Sequence, residues 1–376
     1  MLLALSAIVA CSGDQGPNNA AGPFVTVSAG YPFTCGIIQA RGYCWGYGRD
    51  GELGNAATTS TTTPGTMAGG LRFTQVSAGE FFACGVTTSH RAYCWGANSA
   101  GQLGDGSDSN RTSPVAVSGA ISFAMVMAGT GFACGTSTSG AAYCWGYNAS
   151  GQLGGVGGAT PGGIYTPVSV AGNLSFASVS PGDQFACGVT TTGAGYCWGE
   201  NGAGQLGDST GTSSSTPVPV AGGLEWSTIR SGEGFACGLT TAELAYCWGN
   251  NIRGMLGTGD TVPKQSLSPL PVSGGLRFTD LTTNLYHVCG ITPAGGTYCW
   301  GYNGDGELGD GTTVDRPGPV AVNGGLRFTA VSAGWYHTCG VTNNGSAYCW
   351  GDNSSGELGN GAATGISVTP TLIVRE

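Results

Sequence analysis

Residues 84–96 read CGVTTSHRAYCWG, and the last four of them, YCWG, recur six more times along the chain of 376 residues. The tryptophans of these tetrapeptides are residues 45, 95, 145, 198, 248, 300 and 350. Successive copies are therefore 50, 50, 53, 50, 52 and 50 residues apart. Because an internal repeat determines the whole fold, this period takes precedence over any local pattern. Seven copies of one unit fill the chain from about Phe24 to its end.

Each copy divides into four short segments that are separated by glycine-rich turns. In the second copy the segments are 71–76, 83–87, 92–96 and 114–117. A turn that reads GQLG or GELG recurs between the third and fourth segments, for example at 101–104 and 306–309. Four strands every fifty residues are typical of a propeller blade. The sequence thus predicts an all-β, seven-bladed β-propeller with four-stranded antiparallel blades.

The two ends of the repeat array suggest how the ring closes. The chain begins with a first segment, 24–27, and ends with a fourth segment, 370–374. At every internal junction a fourth segment is followed directly by a first segment. We therefore expect the N- and C-terminal strands to pair and to close the ring, which would remove exposed sheet edges.

The composition supports a β-rich domain and excludes several other classes. Glycine contributes 72 residues and proline 17, and only 9% of residues are charged. A helical bundle or coiled coil needs far more Ala, Leu, Glu and Lys. The glycines lack the three-residue period of collagen. With 40% hydrophobic residues, the chain also has enough apolar material for a core, unlike disordered segments.

The net charge limits the partners that the protein can bind. The formal charge is −9, Lys and Arg together number 12, and no basic cluster is present in the sequence. Binding to phosphate backbones or to anionic lipid needs a positive field. We therefore expect no nucleic-acid partner and no direct docking on a membrane surface.

The first 22 residues are expected to be a lipoprotein-type signal peptide and a polar linker, followed by a single propeller domain over 23–376. Residues 2–10 form an apolar run that is too short to span a bilayer but is typical of a signal peptide core. The run ends in IVAC at 8–11, which resembles the lipobox of bacterial lipoproteins. That resemblance implies lipidation of Cys11 and a cell-envelope or secreted location, with membrane contact only through the anchor. The alternative is an uncleaved apolar N-terminus, since no Lys or Arg precedes the run.

The other fourteen cysteines occur two per repeat, nine or ten residues apart, at the two ends of a predicted hairpin. Such positions face each other across adjacent strands at a separation compatible with a disulfide. We expect seven bridges within the blades, each worth on the order of 2 to 3 kcal/mol, and hence an oxidising compartment. Reduced core thiols or a metal site are the alternatives, although zinc sites favour shorter spacings. The predicted bridges join Cys35 with Cys44, Cys84 with Cys94, Cys134 with Cys144, Cys187 with Cys197, Cys237 with Cys247, Cys289 with Cys299, and Cys339 with Cys349.

The recurring AG, CG, WG and GQLG elements resemble the repeat of the regulator of chromosome condensation family, and the resemblance covers all seven copies. That family usually carries a histidine two residues before the Cys-Gly element. Here this position holds Phe in the first five copies, from Phe33 to Phe235, and then His287 and His337. We expect all seven side chains to pack in the core, with the two histidines hydrogen-bonded.

No motif in the sequence supports catalysis. The sequence contains no GxSxG elbow and no phosphate-binding GxxxxGK[ST] loop. Glu52, Glu307 and Glu357 lie in GELG turns at one repeated position, which is typical of turn formation and not of an asymmetric catalytic pair. We therefore expect no enzymatic activity, no cofactor and no metal.

Two turn positions vary between copies while the frame around them is constant. One is the pair of residues after each AG element. The other is the second residue after the tryptophan of each YCWG tetrapeptide, which we call the ring tryptophan. Both sets contain aromatic and acidic residues, which are typical of a protein interface if they share one face. Neutral drift at exposed turns explains the variation equally well. The candidate partner-binding residues are Tyr31, Tyr47, Phe81, Tyr147, Glu200, Tyr286, Tyr302, Trp335 and Tyr336.

These observations favour a non-catalytic, exported, monomeric binding scaffold that recognises a protein or a glycan through one propeller face. Secreted propellers that inhibit β-lactamases resemble it in repeat frame and export. The first alternative is an enzyme of cell-wall or polysaccharide metabolism with a site at the propeller mouth. The second is guanine-nucleotide exchange, which the family resemblance implies but which an exported protein would have no partner for.

Overall fold

The computed structural model describes residues 22–155, 159–160 and 162–374, and within these ranges the chain forms seven four-stranded antiparallel sheets. The sheets are the blades of one propeller, which confirms the predicted fold class. Cys11 and nearly all of the expected signal segment 1–22 lie outside the described residues, so the lipid anchor stays a prediction.

Each blade is built from four strands that are consecutive in sequence. Blades 1 and 2 consist of β1 (Phe24–Ala29), β2 (Phe33–Ile38), β3 (Arg41–Gly46), β4 (Thr61–Thr66), β5 (Phe73–Ala78), β6 (Phe82–Thr87), β7 (Ala92–Gly96) and β8 (Arg111–Ala116). Blades 3 and 4 consist of β9 (Phe123–Ala128), β10 (Phe132–Ser137), β11 (Ala142–Tyr147), β12 (Gly163–Ser169), β13 (Phe176–Pro181), β14 (Phe185–Thr190), β15 (Gly195–Gly199) and β16 (Ser214–Pro219).

The remaining blades repeat this order. Blades 5 to 7 consist of β17 (Trp226–Ser231), β18 (Phe235–Thr240), β19 (Ala245–Asn250), β20 (Gln265–Pro271), β21 (Asp280–Thr283), β22 (His287–Ile291), β23 (Thr297–Gly301), β24 (Arg316–Ala321), β25 (Phe328–Ala333), β26 (His337–Thr342), β27 (Ala347–Asp352) and β28 (Ile366–Leu372). Two 3₁₀ turns, Ala68–Gly70 and Ser273–Gly275, follow the outer strands of blades 1 and 5. No helix in the described part of the chain is long and apolar enough to cross a membrane.

The first strand of each blade lines a central channel and the fourth strand forms the outer edge. Every outer strand contains at least one proline, as in β8 with Pro114 and β28 with Pro370. Proline cannot donate to a further strand, so these edges are protected against pairing with another chain.

The cysteines of each repeat lie opposite each other on the second and third strands. In blade 2, for example, the register places the two cysteines directly across from each other, and their Cα atoms are 4.0 Å apart. All seven pairs that the hairpin spacing predicts are disulfide-bonded in the structure. The bridges are Cys35 to Cys44, Cys84 to Cys94, Cys134 to Cys144, Cys187 to Cys197, Cys237 to Cys247, Cys289 to Cys299, and Cys339 to Cys349. Disulfides persist in oxidising environments, so the seven bridges indicate such a compartment for the folded protein.

A tryptophan on the third strand of each blade connects that blade to the preceding one. The indole Nε1 of Trp95, for example, donates a hydrogen bond to the main-chain oxygen of Glu52 at 2.8 Å. The same bond occurs at all seven interfaces with N···O distances of 2.8–3.0 Å. The acceptor residues for Trp45, Trp95, Trp145, Trp198, Trp248, Trp300 and Trp350 are Glu357, Glu52, Gln102, Gln152, Gln205, Met255 and Glu307, respectively.

The last glycine of each GQLG or GELG turn makes this contact sterically feasible. Gly54 has φ of 60°, and a Cβ atom placed there would lie 2.9 Å from Cδ1 of Trp95. A side chain at this position would therefore be strained in its backbone and would also displace the indole ring.

The predicted pairing of the N- and C-terminal strands is wrong. Strand β1 pairs with β2 in blade 1, whereas β28 pairs with β27 in blade 7. Each blade is complete within its own repeat, because the first and fourth strands of one copy belong to the same sheet. The ring is closed instead by face-to-face packing of blade 7 against blade 1, where Phe24, Trp45 and Ile373 share one buried cluster.

A buried polar network also crosses this closing interface. Thr34 Oγ1 donates to the main-chain oxygen of Glu357 at 2.9 Å and lies 2.8 Å from Nε2 of His337. Because the hydroxyl hydrogen is used by the carbonyl, His337 donates from Nε2. Burial lowers the pKa of His337 to about 3, so its imidazole is neutral near pH 7. The expectation that the histidines are hydrogen-bonded core residues is therefore confirmed for His337.

The same arrangement explains the Phe-to-His exchange along the repeats. His287 Nε2 lies 2.8 Å from Oγ1 of Thr338 in the following blade, and Thr338 donates to the main-chain oxygen of Glu307. In blades 1 to 4 the position of His287 is occupied by phenylalanine. The following blade then has alanine at the position of Thr338, as in the pair Phe82 and Ala133. A His/Thr pair and a Phe/Ala pair are thus two solutions to one packing site between neighbouring blades.

These two solutions generate a prediction for the closing interface. Thr34→Ala leaves the buried His337 Nε2–H without an acceptor and should cost roughly 1 to 3 kcal/mol of unfolding free energy. The double variant Thr34→Ala/His337→Phe recreates the Phe/Ala pair and should recover most of that loss. Scanning calorimetry with the disulfides intact measures both. Additive destabilisation in the double variant would contradict the prediction.

Candidate functional site

The two variable sets of turn residues lie on one face of the propeller. A main-chain hydrogen bond joins the two sets in each blade. The N–H of the second residue after the ring tryptophan donates to the main-chain oxygen of the second residue after the AG element. Tyr47 N to Pro32 O, at 3.0 Å, is the example in blade 1, and the equivalent bond is present in the other six blades at 2.8–3.0 Å. The condition on which the predicted interface depended, that both sets share a face, is therefore met.

This face surrounds one mouth of the central channel. The glycines of the AG element bring neighbouring blades close together, since a Cβ atom on Gly30 would lie 2.6 Å from the main-chain oxygen of Gly79. The residue that follows the glycine faces the mouth in blades 2 to 5 and in blade 7, and Glu80, Asp183, Glu233 and Trp335 line a cavity of about 80 Å³ there. The mouth is acidic on the side of blades 2, 4 and 5 and aromatic on the side of blades 7 and 1.

The aromatic side consists of rings in direct contact. Tyr31 stacks on Trp335 with centroids 4.6 Å apart and planes at 16°. The edges of Phe81 and Tyr336 meet Tyr31 at centroid distances of 5.3 and 5.7 Å. Tyr47 in turn contacts Phe81 at 6.0 Å. Five of the nine predicted partner-binding residues thus form one continuous cluster, which we call the aromatic cluster.

A second aromatic pair lies next to this cluster in blade 6. The rings of Tyr286 and Tyr302 are 6.3 Å apart, and the hydroxyl of Tyr286 donates to Glu233 Oε1 at 3.0 Å. Burial and this contact raise the pKa of Tyr286 to about 12. The guanidinium of Arg253 lies over the Tyr302 ring, 5.4 Å from its centroid.

Two cavities open beside the channel mouth. The larger, of about 630 Å³, is lined by aromatic, acidic and serine side chains from blades 1, 2, 6 and 7. Its residues are Tyr31, Pro32, Tyr47, Phe81, Tyr302, Asp305, Tyr336, Asp352, Ser354 and Ser355. The smaller, of about 310 Å³, lies over blades 2 to 4, and Tyr147, Phe81 and Asp183 contribute to it.

One predicted residue has a mainly local role, and one further residue was missed. Glu200 Oε1 accepts a hydrogen bond from the main-chain nitrogen of Gly202 at 2.7 Å and lines neither cavity. Asp305, which was not among the candidates, lines the larger cavity. Its position two residues before Glu307 in a fixed turn gave no sign of this exposure. The two tryptophans outside the YCWG positions have different roles, since Trp226 packs on Trp248 in the core whereas Trp335 is half-buried on the face.

The acids at the channel mouth have unusual titration behaviour. Burial raises the pKa of Glu80, and the charges of Asp183 and Glu233 raise it further. Burial also raises the pKa values of Asp183 and Glu233. Among the ion pairs between described residues, none involves these three carboxylates.

The glutamates of the GELG turns are structural. Glu52, Glu307 and Glu357 are buried, and burial raises their pKa values to about 7, 8 and 7. In each, Oε2 accepts the main-chain N–H of the residue two positions earlier, as the Gln102 side chain does in blade 2. Over the described ranges, no group of three His, Cys, Asp or Glu side chains could hold a metal ion.

Comparison with known proteins identifies the repeat. Two family models, both described as the regulator of chromosome condensation (RCC1) repeat, match residues 41–86, 89–137 and 294–341 and residues 73–102, 176–205 and 328–357. The chain is therefore built from RCC1-like repeats. No curated protein matches the sequence.

Solved structures show the same fold at low sequence identity. Yeast RCC1 (Prp20), solved with bound Kap60, is 22% identical with a TM-score of 0.77, over 89% of this chain and 83% of that one. Human WBSCR16 is 18% identical with a TM-score of 0.79, over 89% and 94%. The ectodomain of the receptor kinase CR4 from Physcomitrella patens is 23% identical with a TM-score of 0.57, over 88% and 74%. Likeness at this level establishes the architecture and leaves the activity open.

The buried turn glutamates predict a specific pH dependence of stability. The folded-state pKa of Glu307, about 8, is above its unfolded value, so its contribution is fully present below about pH 4.5 and is lost as the pH rises through 8. Glu307→Gln does not titrate, and Gln152 shows that this turn accepts an amide. The variant should match the wild type at pH 4.5 and be more stable by up to roughly 5 kcal/mol at pH 8.5.

Thermal unfolding between pH 4.5 and 8.5 measures this difference. Glu225→Gln, at an exposed position, is the matched control and should follow the wild type at every pH. A constant offset between Glu307→Gln and the wild type would show that Glu307 does not change its protonation on folding.

Proposed function

We propose that this protein is a non-catalytic, exported binding scaffold that recognises another protein through the face that carries the aromatic cluster. The observation that carries the proposal is the continuous contact of Tyr47, Phe81, Tyr31, Trp335 and Tyr336 around a large open cavity. These rings are half-buried, so each presents part of its surface to solvent.

The physical argument concerns rigidity. Tyr and Trp are enriched at interface centres because they give a large contact area for few rotatable bonds. Here they project from turns whose backbones are fixed by inter-blade hydrogen bonds, such as Trp335 N to Gly30 O and Tyr31 N to Gly79 O. Little conformational entropy would be lost when a partner docks, so the surface is preorganised.

The location and the partner class belong to the same proposal. Seven disulfides favour an oxidising compartment, and export with a lipid anchor at Cys11 would deliver the chain there. We propose that it acts as a monomer. The structure of the related yeast Prp20p was described together with its binding to Gsp1p and histones, which supports a protein partner for this fold. Guanine-nucleotide exchange is a weaker proposal, because an oxidising compartment would separate the protein from a cytosolic GTPase.

A hydrolytic enzyme is the second candidate, and one observation favours it. Glu80, Asp183 and Glu233 face one channel mouth with raised pKa values. Glycoside hydrolysis needs one protonated and one ionised carboxyl group on opposite sides of the scissile bond. The channel cavity of about 80 Å³ is, however, too small for a sugar ring between them, so the substrate would have to bind above the mouth.

A capture experiment tests the proposed face. Tagged wild-type protein, Trp335→Ala/Tyr336→Ala and Tyr165→Ala are incubated with envelope and medium fractions of the producing organism, and captured proteins are quantified by mass spectrometry. Loss of two anchor rings should reduce the specific partner at least tenfold, because anchors carry most of the binding energy. Tyr165, an exposed aromatic on the outer strand β12, is the control and should capture normally.

Two outcomes would contradict the proposal. Equal capture by the double variant would show that the aromatic cluster is not the interface. Hydrolysis of envelope polysaccharide that is abolished by Glu80→Gln or Glu233→Gln would replace the scaffold with the enzyme.

A further inference from the structure

We propose that the cavity of about 630 Å³ beside the aromatic cluster receives an arginine or lysine side chain of the bound protein. This inference rests on the proposed function and specifies the chemistry of the partner. It commits to a basic residue on a protein loop. Recognition of a neutral glycan is the competing outcome of the test below.

One wall of the cavity is aromatic. Tyr31 and Tyr336 meet edge-to-face at 5.7 Å, and Tyr47 and Phe81 continue the wall at 6.0 Å. The face of an aromatic ring attracts a cation through its quadrupole, and more strongly where the cation is desolvated. A planar guanidinium would gain most, because it can also stack on such a ring.

The other wall is acidic, and no Lys or Arg is among the described residues that line the cavity. Asp305 and Asp352 both line the cavity, and neither takes part in any ion pair between described residues. Asp305 Oδ2 accepts only a long hydrogen bond of 3.4 Å from Tyr302, and Asp352 accepts from Ser354. The pKa of Asp305 is raised by burial and by the charge of Asp352, as expected for two carboxylates that lack a counterion.

The protein already uses this combination of groups nearby. Arg253 lies over the Tyr302 ring at 5.4 Å and forms an ion pair with Asp315 at 3.5 Å. Tyr302 also lines the cavity. The cavity has aromatic rings and carboxylates, as the Arg253 site does, but no Lys or Arg is among its described lining residues. A partner side chain would reproduce in the cavity the arrangement that Arg253 makes beside it.

The charge of the surrounding face favours a basic partner. Glu80, Asp183 and Glu233 add negative charge at the adjacent channel mouth. Neither of the two cavities on this face is lined by Lys or Arg, and the channel's Arg230 lies 3.9 Å from Asp280. Such a field steers cations to the face and repels acidic surfaces, so it provides specificity as well as affinity.

The probe for the test is N-acetyl-L-arginine amide, with the N-acetyl amide of citrulline as an uncharged analogue of nearly the same shape. Dissociation constants are obtained from chemical-shift changes of the protein's indole and tyrosine resonances during titration. We expect the citrulline probe to bind at least tenfold more weakly. The arginine probe should also lose at least fivefold in affinity for Asp305→Asn/Asp352→Asn and should weaken with added salt.

A matched variant controls for net charge. Asp108→Asn/Glu225→Gln removes two negative charges at exposed positions outside both cavities and should bind the arginine probe like the wild type. Asp305→Asn leaves the main-chain bond from residue 305 to Glu307 in place, so the turn should be retained. Unchanged melting temperatures would verify that both double variants are folded.

Three results would overturn the inference: no binding of the arginine probe at 50 mM (roughly −2 kcal/mol or weaker), equal binding of the citrulline probe, or full affinity in Asp305→Asn/Asp352→Asn. Tighter binding of a neutral disaccharide such as cellobiose would assign the cavity to a glycan instead. If the probe fails while Trp335→Ala/Tyr336→Ala still loses its captured partner, the face binds protein without this basic residue. If capture is unaffected, the proposed function itself fails.

Discussion

The hydrogen bond from an indole N–H to a main-chain oxygen of the preceding blade is the interaction on which the architecture depends. It joins the third strand of one blade to the turn of its neighbour at every interface, including the one between blades 7 and 1. Each bond is fully buried, so breaking it would leave a donor and an acceptor without water, at a cost of about 1 to 3 kcal/mol. The indole must reach the carbonyl closely, and this explains why the turn ends in a glycine.

The need to keep this indole hydrogen bond at every interface explains why some positions of the repeat are constant and others vary. The residues that form the indole hydrogen bond, the disulfide and the turn recur in the repeats, because a substitution there would disturb the packing of two neighbouring blades. Among the described residues, those at the channel mouth make no hydrogen bond to the seven indoles that join the blades. They differ between blades, so that blades 7 and 1 carry Trp335 and Tyr31 where blades 2 and 5 carry glutamates. A rigid sevenfold frame with one variable face is well suited to binding, since adaptation of the surface does not disturb the fold.

Much of the fold could be predicted from the sequence, because a repeat interval can be recognised without knowing which distant residues are in contact. The fifty-residue interval predicts the blades, and the cysteine spacing predicts the hairpin register. The closing contact could not be predicted in the same way. A cyclic pattern does not reveal which strand begins a blade, so pairing of β1 with β28 was as consistent with the repeats as the observed packing. Thr34 and His337 meet across 303 residues, and only the assembled ring brings them together. Asp305 was missed for a similar reason, because its exposure depends on the neighbouring blade and not on its own turn.

Exchange of the indole protons in D₂O, followed by NMR, tests the central claim most directly. The seven ring tryptophans are buried and donate to carbonyls, whereas Trp335 is half-buried on the face and no described acceptor binds its indole. We predict slow exchange at all seven ring tryptophans, with Trp45 as slow as Trp145, and rapid exchange at Trp335. Fast exchange at Trp45 alone would show that the interface between blades 7 and 1 is open, and would contradict a ring closed by the same bond at every blade.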